Sequence, residues 1–378
     1  VLVWSDFHVP RGDELDRQTS ALVHALSERF EVEGIADTLG PAAELELMAN
    51  GAPVRVHRLP MSIALERRDT AGLLAVGRAA QRVLDAWRPD VIVHEFTGPG
   101  GIFVPRVLDQ TPVPVLVRSA PPPVAGVTAA LGPLLRRTVH WAAPSAACLA
   151  LWQDELTDGT FDGTLPEFGV RNPLLGLGPP PAAGPDGDGL VLAGRCVAGK
   201  GIDVAIDAVA LLRDRGLHTT LTIVGDGPER SELQDRIDRH RLGDRVTITG
   251  WLPRRDAIEL MRGAAVVLAP SQVTESFGAV AIEAAWCGRP VVVTDVGGLP
   301  EAAKFGRSGV IVPGGDMPAL AGAIADLLTD PARARRLGAT GAVLAAVHDE
   351  QQVAGLVALI EQAMTGTLGA VRRPEEDA

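Results

Sequence analysis

Two glutamates separated by seven residues, Glu275 and Glu283 in the run ESFGAVAIE, are the most specific chemical feature of the sequence. An apolar strand ending at Pro270-Ser271 precedes them, and the pattern predicts a helix from Phe277 onward. The amides of Ser276, Phe277, Gly278 and Ala279 then lie at a helix N-terminus, where unpaired N–H donors and the helix dipole favour an anion. Gly278 would let a diphosphate come close to the backbone. Glu275 could accept hydrogen bonds from sugar hydroxyls, and Glu283, two turns along, from a ribose diol. Taken singly, Glu275 is equally an acidic residue favoured near a helix start, and Glu283 a solvated charge.

A second group of candidates lies upstream. The apolar run LVLAG ends at Gly194-Arg195, and Lys200-Gly201 follows just ahead of an amphipathic stretch. A planar guanidinium and a compact ammonium both suit oxygen-rich diphosphates. They flank a strand-to-helix turn, and doubly wound sheets bind ligands at the carboxyl ends of their strands. Lysine is otherwise represented only by Lys304, which sharpens the placement of Lys200. Two glycine turns follow later strands, one from Gly225 to Glu229 and one from Gly297 to Glu301. Such turns permit close backbone approach but are common punctuation.

The elements that must position these residues repeat in two series. VLVWSDF (1–7), FEVEGIA (30–36), VRVHRL (54–59), DVIVH (90–94), VPVLVRS (113–119) and TVHWAA (138–143) alternate with helical stretches. LVLAGR (190–195), TLTIVGDG (220–227), RVTITG (245–250), AVVLAP (265–270), PVVVTD (290–295) and GVIVP (309–313) continue in the same grammar. Near-continuous apolar strands between helices imply parallel sheets covered on both faces. The expected fold is α/β, two Rossmann-like doubly wound domains facing each other across a cleft. A Pro/Gly-rich break at 176–189 is the expected hinge. The division is 1–178, a linker at 179–189, 190–348, and a C-terminal helix with a disordered charged tail over 349–378. The terminal helix could pack on either domain.

Composition bounds the rest. The chain has 378 residues, 46% hydrophobic and 22% charged, with a net charge of −12. Dispersed basic residues in an acidic chain set nucleic-acid binding aside. No apolar run approaches the ~20 residues of a membrane span, so no integral membrane contact is expected. No secretory signal is visible, and Cys148, Cys196 and Cys287 are widely spaced in apolar surroundings. The expected compartment is the cytoplasm. Asp186-Gly187-Asp188 matches a D-x-D metal pattern but sits in the Pro/Gly break, and no metal site is assigned.

The ordered series GRCVAGKG, VGDGPE, VTITGWL and PSQVTESFGAVAIEAAWCGRPVVVTDVGGLPE resembles the retaining GT-B glycosyltransferases of family 4. The resemblance implies that Arg195 and Lys200 hold the donor diphosphate and that Glu275 binds the transferred sugar. It assigns amides near Phe277 to Val280 to the phosphates, Glu283 to the ribose, and Gly250-Trp251 to the side of the nucleobase, with Gly225 in the donor site. It further implies retention of configuration, a donor phosphate oxygen as base, and no cofactor or metal beyond the nucleoside-diphosphate sugar. UDP is the commonest base carrier in such enzymes, with guanosine and thymidine next.

The first half departs from that pattern. The family carries a Gly-Gly turn after its first strand, where this chain has HVPRGDE with Gly12 alone; Arg11 and Gly12 could substitute. The family's reaction-centre histidine, after VPVLVR, is replaced by Ser119 beside Arg118. Arg118 is either a loop cation or meets an acidic acceptor or the donor phosphates. His8 and His94, at neighbouring strand ends, could replace the imidazole or serve as structural hydrogen-bond partners. The acceptor is expected to be a small soluble molecule, such as a natural-product intermediate, since no basic amphipathic helix points to a bilayer. The alternatives are a catalytically weakened donor-binding partner subunit and a nucleotide-sugar epimerase on the same fold.

Overall fold

In the computed structural model the described residues are 1–8, 17–96, 100–108, 113–119, 128–157, 165–170, 187, 189–303 and 306–366. The chain divides into two compact units, Val1–Gly176 with Gln351–Ala378, and Leu177–Glu350.

The first unit runs β1 (Leu2–His8), α1 (Arg17–Ser27), β2 (Glu33–Asp37), β3 (Ala43–Ala49), β4 (Ala52–Leu59), α2 (Met61–Glu66) and α3 (Thr70–Trp87). It continues through β5 (Ile92–Phe96), α4 (Gly100–Leu108), β6 (Val115–Ser119), α5 (Thr128–Leu135), β7 (Thr138–Ala143), α6 (Ala146–Leu156) and β8 (Glu167–Val170). The strands form one sheet in the order β3-β4-β2-β1-β5-β6-β7-β8. All neighbours are parallel except β3 and β4.

The second unit runs β9 (Leu190–Ala193), α7 (Ile202–Asp214), β10 (Leu221–Val224), α8 (Arg230–Arg239), β11 (Val246–Gly250), α9 (Arg254–Arg262) and β12 (Val266–Ala269). α10 (Ala279–Trp286), β13 (Val291–Thr294), α11 (Leu299–Ala302), β14 (Gly309–Val312), α12 (Met317–Thr329) and α13 (Pro331–Thr365) follow, the part of α13 from Gln351 belonging to the first unit. Its sheet is parallel, in the order β11-β10-β9-β12-β13-β14.

The central strands of each sheet are buried because they are apolar on both faces. In the first unit Trp4, Phe103, Trp141 and Trp152 are almost fully buried, with the Trp141 and Trp152 rings 4.8 Å apart. In the second, Leu192, Ile206, Val209, Ile223 and Leu268 form the centre of the core. Local signals set the helix starts. Ser145 accepts a hydrogen bond from the Cys148 amide at the head of α6, and Asp316 one from the Ala319 amide at the head of α12.

Every strand expected from the sequence is present, and two more are added. β3 and β4 close an antiparallel hairpin through Asn50 and Gly51, both at positive φ (50° and 79°). That is the two-residue turn whose twist suits a hairpin. β3 itself alternates glutamate with apolar residues, AELELMA, and so lacks the continuous apolar signature of the buried strands. β8 pairs with β7 as a parallel edge.

The expected terminal helix is the second part of the longer, continuous α13. Its residues Leu356, Val357, Leu359, Ile360 and Ala363 are buried in the first unit's own core with Val3, Leu22 and Val91. Among the described residues α13 is the one helix with the length and composition of a membrane span. Most of the expected hinge, with Asp186 and Asp188, lies outside the described residues, as do Gly12 and the tail.

Candidate functional site

The second unit gathers its chemistry where β9, β12 and β13 end. Lys200 lies in the turn between β9 and α7, flanked by Gly199 and Gly201 at φ 81° and 68°. A Cβ on Gly201 would stand 1.9 Å from the Pro270 carbonyl oxygen, and one on Gly199 would stand 2.3 Å from Val273 Cγ1. The Gln272 amide donates to the Gly199 carbonyl at 2.7 Å. The lysine loop is thus clamped against the 270–273 segment, and only glycine satisfies both the backbone angle and the contact.

Glu275 is fixed from three sides. Its Oε1 accepts from Lys200 Nζ, and also from Ser271 Oγ at 2.5 Å. Its backbone carbonyl accepts from the Gly298 amide at 2.8 Å. Gly297, at φ 58°, packs so tightly beneath it that a Cβ would come within 2.4 Å of the same carbonyl oxygen. The Gly297-Gly298 turn is therefore a packing surface for Glu275 rather than mere punctuation.

α10 begins at Ala279, two residues later than the sequence pattern suggests, because Gly278 takes a left-handed cap position at φ 86°. A Cβ on Gly278 would stand 2.6 Å from Leu299 Cδ2. No side chain caps this end, and the first-turn amides of Ala279 and Val280 have no acceptor within the helix. The Ala281 amide is already bonded to the Gly278 carbonyl. Ser276 and Phe277 precede the helix, with Phe277 buried. The expected amide group thus moves from 276–279 to the helix start at 279–280.

A cavity of about 230 Å³ brings Gly194, Lys200, Ser271, Glu275, Gly278, Ala279 and Val280 together. Gly225 stands next to it: its amide donates to the Gly250 carbonyl at 3.0 Å, and a Cβ on it would meet the Gly194 carbonyl oxygen at 1.8 Å. Arg195 is exposed, and no ion pair is recorded for it among the described residues. Glu283, on α10, does not line this cavity. It is held by Arg254, whose Nε lies 3.3 Å from Glu283 Oε1 at the head of α9. Trp251 is 76% exposed beside Gly250, and Arg230 covers that glycine from the other side. Buried Cys287, on the turn after α10, has its thiol pushed up to about 12 by burial and then by Glu283.

The carboxyl edge of the first sheet differs from expectation. Arg118 is no loose loop cation: its Nη1 donates to Glu95 Oε1 at 2.7 Å, and the two side chains are 11% and 3% exposed. Glu95 Oε2 accepts from Thr19 Oγ1 at 2.6 Å, and Thr19 Oγ1 lies 2.9 Å from Ser5 Oγ. Ser119 is turned inward, donating to the Ala142 carbonyl at 3.1 Å and accepting from Trp141 Nε1 at 3.0 Å. Of the two readings of His94, replacement imidazole or structural hydrogen-bond partner, the geometry favours the second: it is fully buried, with Nδ1 3.2 Å from the Trp4 carbonyl oxygen and its ring beside Phe96. The His8 side chain and Gly12 fall outside what the structure describes.

Sequence reasoning passed over Glu95, Thr19, Ser271 and Arg254. Glu95 carried a readable signal, an acid at the end of an apolar strand. Arg254 did not, because only the tertiary fold brings it to Glu283, twenty-nine residues on, whereas Ser271 stands just four residues before Glu275.

Known proteins share parts of this sequence and this fold. Residues 184–343 match the family model of glycosyl transferases group 1. The chain is 32% identical over 261 residues to a glycogen synthase of Mycobacterium tuberculosis, covering 66% of this chain and 63% of that protein. It thus spans less than two thirds of that relative's length. Sucrose-phosphate synthase from Thermosynechococcus elongatus superposes with a TM-score of 0.74 at 22% identity, covering 97% of this chain and 99% of that one. HepE from Anabaena, solved with UDP, superposes with a TM-score of 0.67 at 18% identity, covering 95% and 99%. The protein has the two-domain α/β architecture of the GT-B glycosyltransferases, and its residues 184–343 are similar to the glycosyl transferases group 1.

Proposed function

We propose that this protein is a retaining glycosyltransferase that moves a hexose-type sugar from a nucleoside-diphosphate sugar, UDP first, to a hydroxyl of a small soluble acceptor. The second unit holds the donor and the first the acceptor. The observation that carries the reading is the shared cavity of Lys200, Glu275 and the α10 N-terminus, an ammonium and helix amides opposite a hydroxyl-accepting carboxylate.

Arg195, Lys200 and the amides of Ala279 and Val280 stabilise the diphosphate as it leaves, by preorganised charge. Glu275 orients the sugar ring. Glu283, braced by Arg254, takes the ribose diol, and the nucleobase lies beside Gly250-Trp251. The acceptor hydroxyl attacks the anomeric carbon on the face the diphosphate leaves, and a donor phosphate oxygen takes its proton. Two cations and a helix terminus supply the positive charge, so no metal is required. The two-carboxylate scheme of glycoside hydrolysis does not apply.

A second reading is favoured by one observation. Ser119 and His94 are both committed to structural hydrogen bonds, which suits a partner subunit that binds donor without turning it over. A thermal-shift panel of UDP, GDP, ADP and dTDP tests donor binding, and NMR of a UDP-sugar with an acceptor library tests turnover. Stabilisation by a nucleoside diphosphate with transfer supports the enzyme. Stabilisation without hydrolysis or transfer supports the partner subunit, and no stabilisation by any of the four contradicts both.

A further inference from the structure

The polar row inside the first unit has no part in donor binding as described. Ser5, Glu95 and Arg118 are aligned in register across β1, β5 and β6, and Thr19 reaches the row from α1. Ser5 and Thr19 are buried to 0% and 2% exposure. A nearly buried Arg–Glu pair brings little net stability, because desolvation offsets the attraction and well-packed apolar side chains often do as well. Its presence at a sheet edge therefore calls for a reason other than folding.

The geometry of the row supplies one. Both Glu95 oxygens are engaged, one by Thr19 and one by Arg118 Nη1. Glu95 thus fixes the plane of the guanidinium, while Nε and Nη2 of Arg118 have no partner among the described residues and the side chain keeps 11% of its surface open. Arg118 is the penultimate residue of β6, at the carboxyl edge where doubly wound sheets bind ligands. Its neighbour Ser119 is turned into the core. A guanidinium held by one edge presents the other as a two-point donor, which matches the paired oxygens of a phosphate or carboxylate.

We propose that Arg118, oriented by Glu95, is the residue through which this protein recognises an oxyanion on its acceptor, so that the acceptor is a phosphorylated or carboxylated molecule rather than a neutral one. Glu95 is a positioning residue, acting through Arg118. The inference rests on the glycosyltransferase reading above. The diphosphate of the donor is accounted for separately in the second unit by Lys200, Arg195 and the α10 amides.

The test follows the Arg118 Nε–H resonance by NMR in the UDP-saturated protein, assigned by its loss in Arg118→Lys. Inorganic phosphate, acetate and glucose are titrated in turn. The expected result is a saturable shift with phosphate or acetate, whichever oxyanion the site takes, and none with glucose. Glu95→Gln and Thr19→Val, each checked for a native thermal transition, should weaken the anion response by about tenfold or more while leaving UDP affinity unchanged. A shift absent with both anions, or a response equal in Glu95→Gln and Thr19→Val to that of the unaltered protein, overturns the proposal. So does a drop of about tenfold or more in UDP affinity in Arg118→Ala, which would move the guanidinium to the donor. Failure of UDP itself to bind, with the anion response present, would instead sink the donor reading and leave the anion site standing.

Discussion

Lys200 Nζ donates to Glu275 Oε1, so the two side chains proposed for opposite ends of the donor's sugar diphosphate hold each other. A bound donor has to separate them, drawing the ammonium to phosphate and leaving the carboxylate to the sugar hydroxyls. Glu275→Gln removes the competing charge and keeps the shape. Binding of UDP alone, by calorimetry, should stay equal or rise a few-fold, while sugar transfer falls by about a hundredfold or more. Loss of UDP affinity in this variant would show that the carboxylate helps to hold the phosphates.

The glycine clamps make a steric prediction. Gly201→Ala forces a Cβ against the Pro270 carbonyl at a left-handed φ, and Gly297→Ala forces one against Glu275. Each should cost about 1–3 kcal/mol in urea unfolding of the second unit. Gly243, with open space around its Cβ direction, is the control and should tolerate alanine with little loss.

Acid stability of the second unit should depend on Asp207. Burial works against its charge, but hydrogen bonds and charge from Arg236, followed by His240, outweigh burial and leave its carboxyl below the ordinary value. The unfolded chain takes up the proton first, near pH ~3.9. The stabilisation is therefore complete above that pH and is lost as pH falls through the lower folded value. Asp207→Asn should flatten the acid limb of a pH-dependent melting series. An unchanged slope below pH ~4 would contradict the assignment.

Cys287 sets a limit on the alkaline side. Its thiol is pushed up to about 12 by burial and by Glu283, whereas an unfolded thiol ionises near ~8.5. Stability from this group is complete below ~8.5 and declines as pH rises toward the folded value, because the unfolded state loses its proton first. Cys287→Ala should remove that decline, and iodoacetamide at neutral pH should label the native thiol far more slowly than the unfolded one. Equal labelling rates would mean the site is open.

The sequence was most readable where one physical signal acts alone. Buried parallel strands such as Val291–Thr294 are continuous apolar runs, so both sheets could be traced from them. β3 was missed because a half-exposed edge strand alternates, and only the Asn50-Gly51 turn marked it. That Lys200 and Glu275 belong together was legible, since each stands at a strand-to-helix junction, and the two line one cavity. The helix start was misplaced because Gly278 adopts a left-handed angle that composition does not display. The carboxyl edge of the first sheet was least legible. Whether Arg118 is an open cation or a paired one depends on Glu95, twenty-three residues away and adjacent only through sheet register.

The most direct test of the account is a calorimetric titration of UDP into the unaltered protein, Lys200→Ala and Glu283→Ala. The account predicts a single site whose affinity falls by about tenfold or more in each variant, as the loss of one charged hydrogen bond implies. Full affinity in both variants would contradict it.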